Sequence, residues 1–232
     1  AALFDISHMG QIEVRGDRAS AALERLVPGD VGGLLPYQQR YTVLTNAQGG
    51  IIDDLMLTRL PGSVYLVVNA ACKDRDFDYL RAEIGGDCDV IMHAGRALLA
   101  VQGPEACHVL GSLNAAVTGL KFLRAGEYDL DGTPCLVHRC GYTGEDGFEI
   151  ALDAGQAPAV ARRLLQHEAV EPVGLGARDS LRLEAGLCLY GHDIDVLTTP
   201  VEAGLSWVIA RRHQSDPALA RFPGAARILE EV

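Results

Sequence analysis

Two adjacent carboxylates, Asp53 and Asp54, interrupt the run Ile51–Leu57, which otherwise has the composition of a β-strand. Side chains alternate between faces along a strand, so the two carboxylates are expected to point in opposite directions. Asp54 would share its face with Ile52 and Met56, and a carboxylate on an apolar face needs a partner or a ligand. A plainer interpretation also fits the spacing: one acid serves the preceding turn and the other is solvated at a sheet edge.

A third acid, Glu149, lies in the short apolar run Phe148–Leu152, on the face opposite its apolar neighbours. The segment Gly141–Gly147 before it is rich in glycine, as in phosphate-binding loops, but its two acids would repel a phosphate. Further along, Arg178 and Arg182 share one face of a predicted helix. On spacing alone, Arg178 could equally be a surface ion-pairing residue, and nearby aromatic residues could belong to the core.

Several common chemistries have no support in the sequence. It contains no P-loop, no dinucleotide-binding glycine pattern and no nucleophile elbow. Three histidines, His138, His167 and His192, lack metal or nucleophile partners at a useful spacing, and the six cysteines form no C-x-x-C pair, so we expect no metal site. The net charge of −11 argues against nucleic acid as a partner, and no apolar run is long enough to span a membrane.

The elements that must carry these residues alternate between strands and helices. The pattern predicts eight or nine strands, often in hairpins, with four or five helices between groups of strands, which is typical of an α+β fold with mostly antiparallel sheets. The segment 40–57 is predicted to be a hairpin closed by an Asn-Ala-Gln-Gly-Gly turn. We expect Pro200–Ala210, which holds the lone Trp207, to be strand-like, and Arg211–Phe222 to be a loop.

Nine short motifs occur in the order found in one protein family. They are Asp5–Gly10, Asn46–Leu55, Val67–Ala70, Gln102–Pro104, Gly141–Glu149, Gly174–Asp179, Leu183–Ala185, Leu189–Asp193 and Thr199–Glu202. Together they make the chain resemble the T-protein (aminomethyltransferase) family of the glycine cleavage system over essentially its whole length. The resemblance implies two intertwined folate-binding domains.

The resemblance also implies a domain organisation. Residues 1–70 and 170–210 would form a discontinuous first folate-binding domain, and residues 71–169 a second, ferredoxin-like α+β domain. Residues 211–232 would then be a linker to an absent C-terminal β-barrel domain, which in this family supplies an arginine to the folate site. Because the chain begins without Met and ends inside a helical pattern, we expect the natural protein to be longer at both ends.

The activity implied by the resemblance is transfer of a one-carbon unit. The lipoyl arm of the H-protein carries an aminomethyl group on sulfur. The T-protein passes its carbon to tetrahydrofolate, forming methylenetetrahydrofolate and releasing ammonia and dihydrolipoyl H-protein. Tetrahydrofolate is then a substrate, the lipoylated H-protein is the partner, no metal is needed, and the location is the cytoplasm, or the mitochondrial matrix in a eukaryote.

The family pattern assigns roles residue by residue. Asp54 matches the carboxylate beside the folate amine that attacks, and Asp53 would then be the outward-facing acid. Glu149 matches the acid that reads the pterin, and Arg178 matches a ligand-binding arginine. The remaining matches to the folate site are Tyr41, Tyr142, Asn69, Met9, Leu55 and Phe122, the last at a position where the family often has tyrosine.

Two alternatives keep the same fold. One is a folate-binding paralogue of the iron–sulfur-repair type, without transferase activity; those relatives carry a cysteine-bearing K-G-C-Y-x-G-Q-E-type motif, which this chain lacks. The other is a folate-dependent demethylase or the folate half of an amine-oxidising enzyme. A flavin domain would mark the oxidising enzymes, and no dinucleotide fingerprint is present.

Overall fold

The computed structural model describes residues 1–232, which form two compact units. The first unit consists of Ala1–Met9 and Ala94–Leu187, and the second of Gly10–His93 and Cys188–Val232. These boundaries differ from the expected domain limits of 1–70 with 170–210 and 71–169. Residues 73–92 add a helix and an edge strand to the sheet of the second unit, whereas residues 2–5 and 171–172 pair within the sheet of the first unit.

The chain forms eleven strands and seven α-helices, more of each than the sequence pattern suggests. The strands are β1 (Ala2–Asp5), β2 (Gly10–Arg15), β3 (Gln39–Thr45), β4 (Ile51–Leu60), β5 (Ser63–Val68), β6 (Asp89–Met92), β7 (Arg96–Gln102), β8 (Ala125–Leu130), β9 (Thr133–His138), β10 (Gly147–Asp153) and β11 (Glu171–Pro172). The helices are α1 (Ala19–Leu23), α2 (Lys73–Ile84), α3 (Ala106–Leu113), α4 (Ala157–Leu164), α5 (Leu175–Glu184), α6 (Arg211–Ser215) and α7 (Ala225–Glu230). Short 3₁₀ turns cover Ala115–Gly119, Ser206–Val208 and Pro217–Leu219.

The first unit is built on a six-stranded sheet in the order β11-β1-β7-β10-β9-β8. All of its neighbouring strands run antiparallel except β1 and β11. Its core packs apolar residues of β7, β9 and β10 against α3 and α4. The central strand β10 is buried almost throughout, so any polar side chain on it must be paired inside the protein.

The second unit is built on an antiparallel five-stranded sheet in the order β3-β4-β5-β2-β6. One hydrophobic cluster packs this sheet against α1 and α2, and a second packs it against the C-terminal segment through Leu205, Phe222 and Ile228. The prediction of an α+β fold with mostly antiparallel sheets is therefore confirmed.

The predicted hairpin is β3–β4, and its turn is held by one amide. Asn46 Oδ1 accepts hydrogen bonds from the backbone amides of Gln48 and Gly50, at 2.9 and 3.0 Å. Gly49 has φ +85°, a conformation that side chains with a Cβ rarely adopt. The pairing register shifts between Leu44 and Thr45, which leaves Ile52 as an extra residue on β4, a β-bulge.

Two expectations for the C-terminal part of the second unit are wrong. Pro200–Ala210 is not a strand; it consists of turns and the short 3₁₀ segment Ser206–Val208. Arg211–Phe222 is not simply a loop, because it contains α6 and a 3₁₀ turn. In Pro200–Ala210 the residues Leu205, Val208 and Ile209 are buried in the second cluster from turns rather than along one face of a strand, so the strand-like pattern misleads.

No helix combines the length and the apolar character that crossing a bilayer would require.

Candidate functional site

Strand β4 presents its two adjacent acids to opposite faces, but Asp53 is not the outward-facing one. Its side chain is fully buried, on the face that carries Leu55 and Leu57 into the cluster beneath α2. Alternation from Asp53 to Leu57 is regular, and the expectation fails because the face shared by Asp53, Leu55 and Leu57 is the one buried against α2. Asp54 lies on the other face and remains partly exposed.

Asn69, directly after β5, ties the two acids together. Its side-chain Nδ2 lies 2.9 Å from Asp53 Oδ1 and 2.7 Å from Asp54 Oδ1, and its backbone amide donates to Asp53 Oδ2 at 3.1 Å. The predicted residues Asp54 and Asn69 are therefore brought together. Because one amide group bonds to both carboxylates, the orientation of Asp54 depends on how Asp53 is held.

Burial, more than any other influence, raises the pKa of Asp54 to about 6, and the charge of Asp53 raises it further. Hydrogen bonds from Asn69 and Tyr41 oppose this shift because they favour the ionised form. The ring of Tyr41 also stacks on Trp207, with centroids 5.4 Å apart, and Trp207 is 64% exposed. The second unit thus holds a partly buried carboxylate beside an accessible aromatic pair, an arrangement that suits a flat, polar ligand.

In the first unit, Glu149 of β10 and Arg178 of α5 form an ion pair. Arg178 Nη2 lies 3.8 Å from Glu149 Oε1, and both side chains are largely buried. Burial raises the pKa of Glu149, while Arg178 and Cys140 lower it. Arg178 Nη1 is buried and has no hydrogen-bond partner, so one donor of the guanidinium remains available for a ligand acceptor.

The glycine-rich segment 141–147 brings Tyr142 to this pair, and the centre of the Arg178 guanidinium lies 5.0 Å from the Tyr142 ring centroid. The buried Gln102 fixes the segment: its Nε2 donates to the carbonyls of Cys140 and Phe148, and its Oε1 accepts from Thr143. The contacts among Glu149, Arg178 and Tyr142 are therefore supported by strand β10 and by a turn that Gln102 holds through hydrogen bonds.

We expect Gly141→Ala to destabilise the protein by about 1–3 kcal/mol, the usual cost of overpacking. A Cβ at Gly141 would overlap Gln102 Oε1, and Gln102 cannot move aside without losing its three hydrogen bonds. Chemical denaturation measures the change. Gly95→Ala is the matched control, because nothing lies within 4 Å of a Cβ at Gly95. Equal stability of the two variants would contradict the pinning role of Gln102.

Three further predicted site residues are not among these contacts. Met9 follows the turn after β1 and is partly exposed, with its amide bonded to the Ile6 carbonyl at 3.1 Å. Phe122, before β8, is 70% exposed. Leu55 is buried in the core beneath α2, so its side chain is not available to a ligand in this structure.

Sequence reasoning missed three residues near Asp54. Trp207 was expected in a strand without a role, and neither Cys72 nor Asp76 was singled out. Cys72 and Asp76 lie at the start of α2, and both face Asp53. The available signal was the spacing of Asp76 with Leu80 and Ile84, which places an acid on the buried stripe of that helix.

Comparison with known proteins identifies related sequences over almost the whole chain. Residues 1–213 match the family model described as the GCVT N-terminal domain. The mitochondrial aminomethyltransferase of Gallus gallus is 48% identical over 239 residues, and that of Solanum tuberosum is 44% identical over 242 residues. Each alignment covers 99% of this chain, and the chain spans about 60% of the length of these relatives.

A solved structure gives the same result. The glycine cleavage system aminomethyltransferase T from Bartonella henselae superposes with a TM-score of 0.91 at 46% sequence identity. The superposition covers 99% of this chain and 62% of that chain. The two chains are therefore similar in sequence as well as in fold.

Proposed function

Because the chain belongs to the family of GCVT N-terminal domains, we propose that it performs the aminomethyl transfer of the glycine cleavage system. The lipoylated H-protein delivers an aminomethyl group on sulfur, and tetrahydrofolate accepts its carbon as methylene. Ammonia and the dihydrolipoyl H-protein are released. The observation that carries the proposal is a partly buried carboxylate, Asp54, held by Asn69 in a chain that is 48% identical to a named aminomethyltransferase.

In this proposal Asp54 stabilises positive charge during transfer. An electron-deficient iminium forms as the carbon–sulfur bond breaks, and a fixed carboxylate nearby lowers its energy while orienting the attacking folate amine. The support is geometric: Asn69 and Tyr41 both donate to Asp54, so the carboxylate is oriented before the charge develops. Burial strengthens the effect because there is little solvent to screen the charge.

We assign the pterin ring to Glu149 and Arg178. A carboxylate accepts two N–H groups from a 2-amino-4-oxo ring edge, which accounts for an acid on the apolar strand β10. The free Nη1 of Arg178 suits a ring carbonyl or a carboxylate. Tyr41 and Tyr142 are assigned as folate-lining aromatics, and Met9 and Phe122 as further folate contacts. Because the Leu55 side chain is buried, only its backbone is assigned to the folate site.

The compartment follows from the proposed partner. Aminomethyl transfer takes place where the H-protein is present, so we place the protein in the cytoplasm, or in the mitochondrial matrix in a eukaryote. The two curated relatives are named as mitochondrial.

The rate of transfer is expected to fall on the acid side of about pH 6. Asp54 acts as a carboxylate, and its pKa is raised to about 6 mainly by burial, so protonation below that pH removes the charge that stabilises the iminium. We expect kcat to fall about tenfold for each pH unit below this value. A profile of kcat against pH, measured with saturating substrates, would show this fall. A kcat that stays constant down to pH 5 would contradict the role of the Asp54 carboxylate.

A titration calorimetry experiment tests the proposal. Tetrahydrofolate is titrated into the protein with and without H-protein that carries the aminomethyl group on its lipoyl sulfur. We expect binding in both cases and release of dihydrolipoyl H-protein only when both substrates are present. Folate binding that is indifferent to the H-protein would favour a binding paralogue over a transferase.

A further inference from the structure

Asp76 is a fully buried acid in the first turn of α2 that the proposed reaction does not use. Its helix packs on the sheet face that carries Asp53, and its carboxyl lies within hydrogen-bonding reach of the Asp53 carboxyl. Two ionised carboxylates this close in an apolar interior would repel each other strongly. The pair must therefore lower its charge or be neutralised by a nearby cation.

The surroundings of Asp76 only partly neutralise an ionised carboxylate. Neither of its oxygens accepts a hydrogen bond from an N–H or hydroxyl donor. Arg75 Nε forms an ion pair with Asp76 Oδ1 at 3.5 Å, but the Arg75 guanidinium is also bonded to the Ile52 carbonyl and is half exposed to solvent. A bare carboxylate here would lose its hydration without full compensation.

Asp53, in contrast, is surrounded by donors. Its two oxygens accept from the side chain and the backbone amide of Asn69, and the Cys72 thiol also donates to it. A protonated Asp76 would add one more donor toward Asp53 and would satisfy its own oxygen that carries the proton. This is the arrangement in which two carboxyl groups share one proton.

We propose that Asp76 stays protonated at neutral pH and donates a hydrogen bond to Asp53. The hydrogen-bonded pair then positions Asn69 and, through Asn69, Asp54. Asp76 is a positioning residue, because it contacts Asp53 and not the reacting atoms. The link to catalysis rests on the proposed function. The shared proton is inferred only from the burial of Asp76 and its contact with Asp53.

The electrostatic surroundings agree with this assignment. The groups that face Asp76 are Asp53 of β4, Arg75 of its own helix and Cys72 at the start of that helix. Burial and then the Asp53 carboxyl raise the pKa of Asp76 to about 9, and Arg75 opposes the shift. Burial is also the main cause that raises the pKa of the Cys72 thiol to about 12, so this thiol remains a donor.

Infrared spectroscopy tests the shared proton without an activity assay. At pH 8 the wild-type protein is expected to show a carboxylic-acid C=O band that is missing from Asp76→Asn and that disappears as the pH rises through about 9. Asp78→Asn, an exposed acid on the same helix, is the matched control and should keep the band. Identical spectra of the wild type and Asp76→Asn at pH 8 would overturn the proposal.

Thermal unfolding gives a second readout with a defined sign. The folded protein holds a proton on Asp76 that the unfolded chain releases near its ordinary pKa of 3.8, so stability falls as pH rises from about 4 to 9. Asp76→Asn has no such proton, and its Tm should therefore rise relative to the wild type across this range. A Tm difference that does not change with pH would count against the shared proton.

Transfer kinetics test the positioning role. Asp76→Asn keeps a donor toward Asp53 and should retain near-normal kcat, whereas Asp76→Leu should lower kcat by about tenfold to a hundredfold with little change in KM for tetrahydrofolate. Equal loss in both variants would overturn the role of the donated hydrogen bond. If Asp76→Leu does not fold, the infrared and unfolding comparisons of the wild type with Asp76→Asn still test whether Asp76 holds the shared proton. A confirmed band in a protein without transferase activity would refute the proposed function and leave the shared proton intact.

Discussion

Replacing Asp54 by Asn is expected to slow aminomethyl transfer by about 10²–10³-fold, a loss of ~3–4 kcal/mol in transition-state stabilisation. The substitution removes the negative charge but keeps the shape of the side chain beside Asn69 and Tyr41. Tetrahydrofolate should still bind, because its ring is assigned to Glu149 and Arg178. Steady-state kcat and a folate titration measure the two effects separately.

A control shows that this loss does not come from unfolding. Burial raises the pKa of Asp54 above its ordinary value of 3.8 to about 6, so the ionised group destabilises the folded protein above that pH by about 2–3 kcal/mol. Asp54→Asn should therefore be at least as stable as the wild type at pH 7. Near-normal turnover by this variant would remove Asp54 from the mechanism.

Replacing Glu149 by Ala is expected to weaken tetrahydrofolate binding by ~1.5–3 kcal/mol, the range for a hydrogen bond to a charged group. That loss corresponds to about a tenfold to 150-fold increase in Kd. The carboxylate is the proposed acceptor of two pterin N–H groups, and its removal also leaves Arg178 without its ion-pair partner. Calorimetry of the folded variant measures the change.

Two companion variants sharpen this experiment. Glu149→Gln keeps one acceptor and the side-chain volume, so its loss should be smaller than that of Glu149→Ala. Glu105→Ala removes an exposed acid of the same unit and should leave Kd unchanged. Unchanged affinity in Glu149→Ala would contradict the pterin assignment, and equal losses in all three variants would indicate a general electrostatic effect.

Local sequence patterns predicted most of the strands and helices but did not predict that the Asp53 side chain is buried. Alternating apolar residues and a glycine-rich turn locate the β3–β4 hairpin, predicted over residues 40–57 and observed over residues 39–60. Alternation places Asp53 on one face with Leu55 and Leu57, but local pattern does not record that α2 covers this face rather than the other. The burial of Asp53 and its contact with Asp76 then follow from how α2 packs on the sheet.

The ion pair of Glu149 with Arg178 shows the same limit at longer range. These residues stand 29 positions apart and meet because α5 packs near β10, a tertiary contact that spacing cannot reveal. The resemblance to a family supplied both residues separately, whereas the structure supplies their distance and the donor left on Arg178. Trp207 was missed for a similar reason, because only the fold brings it onto Tyr41.

The most direct test of the proposed function is transfer of a labelled carbon. The purified protein is mixed with H-protein that carries a labelled aminomethyl group on its lipoyl sulfur, and with excess tetrahydrofolate, in a single turnover. The account predicts that the label appears in methylenetetrahydrofolate as ammonia is released, and that Asp54→Asn slows this step by about 10²–10³-fold. If tetrahydrofolate binds while the label stays on the H-protein, the chain is not an aminomethyltransferase.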